Sequence, residues 1–186
     1  FINNGKSNEW LIIEGKAGTG KTTLASEIIK KFPTKSVIVA ALSNKAKGVI
    51  QSKFKEDKVK ATYESIAGLL GMKLDMETGK FIKDENNNLP APINYADIVL
   101  VDEASMINEE MLDLIMKEKK SNAKVIFLGD IGQLPPIRTK DNPYYINRTN
   151  LFEKDSPTFD TNNKSKLIER VRQGEESPIL PFADLY

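Results

Sequence analysis

An α/β fold built on a parallel sheet is what this chain of 186 residues predicts, and three observations predict it. Short apolar runs of strand length alternate with segments of helical period, the pattern of βαβ units. A glycine-rich phosphate-loop motif lies between the first such run and the first such helix. Two later apolar runs end on acidic or Gly-Asp pairs, at the edge where open parallel sheets bind ligands.

The buried strands read as Trp10-Leu-Ile-Ile13, Ser36-Val-Ile-Val-Ala40, Ile98-Val-Leu-Val101 and Lys124-Val-Ile-Phe-Leu128. Between them, helices are expected over residues 21–31, 44–53, 63–70 and 108–119. In the last of these, Leu112 and Ile115 stand three apart with Met111 and Met116 beside them, an apolar stripe that belongs in a core. Two stretches break the rhythm. Residues 71–92 contain a hairpin pattern, 73–79 into 80–83, followed by a polar run and two prolines, and read as a small insertion. Residues 139–166 are rich in Asn, Asp, Pro and Thr, which predicts a long irregular connection with partial order. The length fits one domain, 1–186, with 71–92 inserted in it.

Composition removes whole classes of chemistry. With no cysteine and no histidine there is no disulfide framework, Cys/His zinc site, cysteine nucleophile or Ser-His-Asp triad. Catalysis must rest on carboxylates, Lys, Arg, amides, hydroxyls or a hard metal ion. No apolar run approaches the ~18 residues of a membrane span, and no secretory signal fits the polar start, so a reducing cytoplasm is expected. Lysine and asparagine richness suggests an AT-rich bacterial or phage genome. The net charge of +1 hides an asymmetry: residues 30–60 carry nine lysines against Glu56 and Asp57, while 97–118 carry seven acids against Lys117. The lysine stretch could attract phosphates or be a solvated face.

Gly15-Lys16-Ala17-Gly18-Thr19-Gly20-Lys21-Thr22, followed by Thr23, satisfies G-x-x-x-x-G-K-[ST] in the strand-to-helix context its mechanism requires. Its glycines let successive N–H groups point at phosphate oxygens, and the following helix adds its positive end. Lys21 would reach the β/γ-phosphates of ATP and the Thr22 hydroxyl would hold Mg²⁺. Asp102 and Glu103 emerge where a buried strand ends; Asp102 suits the surroundings of a Mg²⁺ ion that keeps several waters, and Glu103 suits a general base or water-orienting group. Gly129-Asp130-Ile131-Gly132-Gln133 follows the next strand. The Gln133 amide can bond a γ-phosphate oxygen or the attacking water. Taken alone, the Gly-Asp pair could be only a strand-ending turn.

These motifs, together with Asp102-Glu-Ala-Ser-Met106, Gly129-Asp-Ile-Gly-Gln-Leu-Pro-Pro136 and Leu167-Ile-Glu-Arg-Val-Arg172-Gln173, resemble motifs I to IV of superfamily 1 helicases, most closely the Dda/RecD/Pif group called 1B. The resemblance implies a RecA-like P-loop core that binds and hydrolyses MgATP through Lys21, Thr22, Asp102 and Glu103. It makes Gln133 a γ-phosphate sensor and Arg172 an arginine finger, with Arg170 as competitor. It implies single-stranded DNA as partner, with 5′–3′ movement as the family's habit. Ser43, Asn44 and Lys47 fall in a motif Ia-like segment. Thr62 and Ser65 fall in a motif Ib-like one, where Glu64 replaces the usual histidine; a carboxylate there should point away from phosphates. Thr62 and Ser65 have a second reading, as helix caps. The insertion matches the position of the family's strand-separating pin, with Phe81 or Met76 as the wedge, and reads equally as a surface hairpin without a role.

The resemblance also implies what a whole motor needs: a second RecA-like core, adenine contacts upstream of Gly15 and, for this group, a monomer. Only the first core has motifs here, so the expectation is a first motor domain from a longer parent. Two alternatives stand beside it: another P-loop ATPase or nucleotide kinase, and a nucleic-acid-binding module with a vestigial nucleotide site.

Overall fold

The computed structural model describes residues 9–75, 81–83, 89–138, 140, 142–145, 147 and 154–168. Along them run β1 (Trp10–Gly15), α1 (Lys21–Lys30), β2 (Val37–Ala41), α2 (Asn44–Glu56), β3 (Thr62–Ser65), α3 (Ile66–Leu69), β4 (Met72–Leu74), β5 (Phe81–Lys83), β6 (Ile98–Val101), α4 (Glu109–Glu118), β7 (Lys124–Gly129) and β8 (Lys164–Leu167). Six strands make one sheet in the order β3-β2-β6-β7-β1-β8, every neighbouring pair parallel.

Both faces of this sheet are covered, which is why its central strands are apolar at every position instead of alternating. Ile12, Ile38, Val99, Val101, Val125 and Phe127 share a core with Ile66 and Leu69 of α3 and Leu112 and Ile115 of α4. Their sequence neighbours Ile13, Val37, Val39, Leu100, Ile126 and Leu128 share the other core with Ala25 and Ile29 of α1 and Ile50 and Phe54 of α2. The period-2 geometry of a strand thus feeds two cores from one apolar run. The expected stripe on α4 is observed, with Met111 and Met116 packed against its core. Asn108 caps that helix by accepting from the Met111 amide at 2.9 Å.

Two expectations need correction. Residues 63–70 are not one helix: Thr62–Ser65 is the outer strand β3, and only Ile66–Leu69 is helical. Thr and Tyr favour a pleated, half-buried strand, and Ser65 ends it by accepting from the Gly68 amide at 3.0 Å. The region 139–166 is not irregular throughout, because Lys164–Leu167 forms β8 at the opposite edge. Lys164 and Lys166 are exposed there and alternate with half-buried Ser165 and Leu167. Such a polar edge strand offers no apolar run to detect.

The insertion contains an antiparallel pair, β4 and β5, with the backbone of Leu74 in register with that of Phe81. Met76 lies outside the described residues, as does the side chain of Phe81. No helix among the described residues is long and apolar enough to cross a membrane.

Candidate nucleotide site

The carboxyl ends of β1, β6 and β7 lie side by side, since Glu14 registers with Gly129 and Val101 with Phe127. Whatever follows these strands therefore converges on one sheet edge. The segments that follow are the glycine-rich loop, Asp102-Glu103 and Asp130 to Gln133. Together they line a cleft of about 220 Å³: Ala17, Gly18, Gly20, Lys21, Thr22 and Thr23 on one side, Asp102 and Glu103 behind, and Gly129, Asp130 and Gln133 opposite.

Gly15 must lack a side chain, because a Cβ there would lie 2.5 Å from Thr19 Oγ1 and 3.0 Å from the Leu167 carbonyl of β8. Gly18 and Gly20 take φ of 84° and 85°, the left-handed region that suits glycine. Buried Thr19 braces the turn through its hydroxyl, which donates to the Lys16 carbonyl at 2.9 Å. Lys21 Nζ donates to the Gly15 and Lys16 carbonyls at 2.5 and 3.0 Å, so the ammonium sits over the loop.

Helix α1 starts at Gly20 with no side-chain cap and no acidic residue in its first turn. By contrast, α2, α3 and α4 are capped by Ser43, Ser65 and Asn108. The first N–H groups of α1 are thus left for an external acceptor, at the positive end of the helix and inside the cleft. A phosphate group meets that requirement.

Asp102 accepts the Glu103 amide on Oδ1 at 2.9 Å. Burial raises its carboxyl above the usual range, partly offset by that amide and by the Lys21 charge. Burial also raises Glu103, and the neighbouring Asp102 charge adds to the effect. A hydroxyl from Thr22 and a desolvated carboxylate from Asp102 in one cleft form a hard oxygen donor set. It suits Mg²⁺, which takes one or two protein ligands and completes its shell with phosphates and water.

Gln133 is placed by a turn: its amide donates to the Asp130 carbonyl at 3.0 Å, and Asp130 Oδ1 accepts the Gly132 amide at 3.1 Å. The Gly-Asp pair is therefore a strand-ending turn and also a device that sets Gln133 at the cleft mouth. Arg172 and its competitor Arg170 lie outside the described residues.

The motif Ia-like and Ib-like residues are only partly brought together. Ala41 registers with Ser65, so Ser43, Asn44 and Ser65 gather at the same carboxyl edge, with Lys47 in the first turn of α2. Thr62 registers with Ile38, three residues or about 10 Å back along the sheet. Ser43 and Ser65 both act as helix caps; Thr62 does not. The Glu64 carboxylate lies over Gly68, where an added Cβ would come within 2.8 Å of Oε2, so it is folded onto α3 as expected for a carboxylate kept from phosphates.

Two features of the cleft, and one ion pair outside its lining, have no motif to announce them. Glu103 holds a left-handed backbone, φ 59° and ψ 40°. Val49 of α2 reaches the cleft while 61% exposed. Arg138, just after the Gln133 turn, is buried and forked onto Glu109 of α4, with Nε to Oε2 at 2.8 Å and Nη2 to Oε1 at 2.7 Å. It also donates to the Lys154 and Asp155 carbonyls, fastening the segment that leads to β8.

The chain is similar in sequence and fold to known proteins. The chain is similar to the RecBCD enzyme subunit RecD of Buchnera aphidicola subsp. Schizaphis graminum, with 32% identity over 157 residues, 75% of this chain and 25% of the relative. It is similar to the ATP-dependent DNA helicase Pif1 of Campylobacter jejuni, with 26% identity over 133 residues, 68% of this chain and 29% of the relative. Its fold matches a crystal structure of Pif1 helicase from Bacteroides in complex with ADP-AlF3 and ssDNA, with a TM-score of 0.61 and 21% identity, covering 92% of this chain and 41% of that one. RecD and Pif1 are the names of the group that the motifs resemble. The chain spans between about an eighth and a third of the length of the curated relatives it matches. A family model described as an AAA domain matches residues 4–147, well over half of the sequence, and the chain belongs to that family.

Proposed function

We propose that this chain is the first motor domain of an ATP-dependent DNA helicase, binding MgATP in the cleft and hydrolysing it. The observation that carries the reading is the convergence of Lys21, Thr22, Asp102, Glu103 and Gln133, from three strand ends, on one cleft beside an uncapped helix start. The loop amides and Lys21 hold the phosphates in line. Thr22 and Asp102 hold Mg²⁺, which neutralises phosphate charge when bound. Glu103 accepts a proton from the attacking water, helped by burial and the Asp102 charge, which raise its carboxyl above the usual range. Gln133 orients the water or reads the γ-phosphate, held at the cleft mouth by the turn at Asp130.

In this reading Arg172 and a second RecA-like core of a longer parent close the other side of the cleft, and single-stranded DNA crosses the carboxyl edge at Ser43, Asn44, Lys47 and Ser65. The parent acts as a monomer with 5′–3′ polarity, and residues 71–92 supply its pin. Kinase chemistry would need an acceptor pocket for a small molecule, whereas the cleft is lined by hydrolytic groups. The test is ATPase and unwinding by the longer parent on 5′-tailed, 3′-tailed and RNA duplexes. ATP-dependent opening of 5′-tailed DNA is expected, and nucleotide hydrolysis indifferent to every nucleic acid would overturn the reading.

A further inference from the structure

At the opposite edge of the sheet, where β2 and β3 begin, the structure places lysines around an apolar hollow. Ile29, Phe32, Pro33, Val37 and Val59 line a cavity of about 220 Å³, with Lys30, Lys35, Lys58 and Lys60 at its rim. A second cavity, about 440 Å³, adjoins it, shares Pro33, Lys35, Val37 and Lys60, and extends to Tyr95. Tyr95 is 61% exposed. The six-residue strand β7 measures about 20 Å, so this edge is far from the nucleotide cleft.

Lys30 is neutralised by Glu27 at 2.6 Å, whereas the other three rim lysines form no ion pair among the described residues. Acids at this edge are taken up by other partners: Glu27 by Lys30, Asp57 by Lys53, and Asp97 by Lys120 and Ser36. Among the described residues no carboxylate comes within ion-pair distance of Lys35, Lys58 or Lys60, all of them exposed. Lys58 also stands where α2 ends in a left-handed residue, φ 58°, with the Val59 amide donating to the Phe54 carbonyl at 2.8 Å. Glycine is the unstrained choice at such a position, yet a lysine occupies it and sits on the rim.

From this juxtaposition we infer a second binding site, for a single-stranded nucleic acid, in which Lys35, Lys58 and Lys60 contact backbone phosphates and Tyr95 stacks on an unpaired base. An accessible tyrosine that shares a hollow with the unpaired Lys35 and Lys60 is the chemistry of single-strand binding: backbone phosphates meet ammonium groups and any base offers a π-face. A duplex does not present a free base face, and an acidic peptide would use the lysines but leave the ring idle. The site needs neither Lys21 nor bound nucleotide, so it stands or falls separately from the proposed ATPase.

The test is fluorescence anisotropy of a labelled oligothymidylate with this chain across a salt series, comparing parent, Tyr95→Ala, Lys58→Gly and Lys35→Gln/Lys60→Gln. Tyr95→Ala is expected to weaken binding about tenfold or more, the loss of one stacked base, and to leave unchanged the weaker binding of an abasic strand. Each lysine removed is expected to lower the salt slope by about 0.7. Lys58→Gly relieves the left-handed strain, so it should bind less DNA with no fall in melting temperature, which separates lost charge from lost fold. The same losses should appear on top of Lys47→Gln, at the other edge. Affinity and slope unchanged in all variants, no binding by the parent at low salt, or binding of a glutamate-rich peptide in place of DNA would each overturn the proposal.

Discussion

The Glu103 amide donates to Asp102 Oδ1 at 2.9 Å while Glu103 itself sits in the left-handed region, so one strained residue fixes the directions of two adjacent carboxylates. Extended backbone would send successive side chains to opposite faces of the sheet. The left-handed step brings both acids to the same cleft, at a cost of about 1 kcal/mol for a non-glycine residue. Glu103→Gly is expected to fold at least as stably as the parent and to lose hydrolysis. Glu103→Gln should retain nucleotide binding and lose about 10²-fold or more in turnover, the scale of a missing general base. Steady-state hydrolysis alongside calorimetric binding checks both.

Arg138 and Glu109 form a buried fork, with side chains 1% and 15% exposed. Arg138→Ala leaves the Glu109 carboxylate without its partner and should destabilise by about 3–5 kcal/mol. Arg138→Lys should recover little of this, since an ammonium cannot reproduce two parallel bonds plus two carbonyl contacts. Replacing both partners with apolar residues, Arg138→Met/Glu109→Leu, should restore most of the stability. Urea unfolding of the four proteins measures the series.

Gly129 ends β7 against the 3-10 turns Ala104–Met106 and Pro157–Phe159. A Cβ there would lie 2.8 Å from Phe159 Cζ and 3.1 Å from Ala104 Cβ. Gly129→Ala should therefore cost about 1–3 kcal/mol by overpacking and disturb the Asp102-Glu103 segment behind Ala104. Weaker nucleotide binding together with a lower melting temperature is the expected pair of results.

Asp97 joins β6 to the start of β2 through the Ser36 amide and hydroxyl at 3.0 and 3.1 Å, and to Lys120 at 2.9 Å. The Lys120 contact, then the Ser36 amide, lower its pKa from 3.8 to about 2. A carboxyl depressed on folding adds stability that is present above its unfolded pKa and is lost as pH falls through the folded one. This linkage contributes about 1 kcal/mol after allowing for solvent screening, between pH 4 and pH 2. Asp97→Asn should flatten the acid limb of the stability curve there, as read by melting temperature against pH.

Much of the nucleotide site was legible because its residues are tied to chain-local events. A strand end, a glycine-rich turn and a helix start follow one another within residues 10–30, and Asp102 and Gln133 each follow an apolar run. What escaped reading depends on tertiary context. Thr62–Ser65 looks helical when joined to Ile66–Leu69, and only pairing with β2 makes it a strand. Lys164–Leu167 has no apolar run, because an edge strand beside Glu14 can be held by lysines: Lys166 lies 3.4 Å from that buried carboxylate. The Glu103 conformation and the Arg138 fork leave no trace in spacing, since one is a backbone state and the other joins residues 29 apart. The split of the lysine-rich stretch between two opposite sheet edges is likewise invisible until the strands are placed.

The most direct test of the central claim is calorimetric titration of MgATP into this chain and into Lys21→Ala, with circular dichroism to compare their folds. The account predicts saturable one-site binding through the phosphates by the parent, little discrimination between ATP and GTP, and loss of that binding in a Lys21→Ala protein with an unchanged spectrum. Equal binding by the two proteins would contradict it.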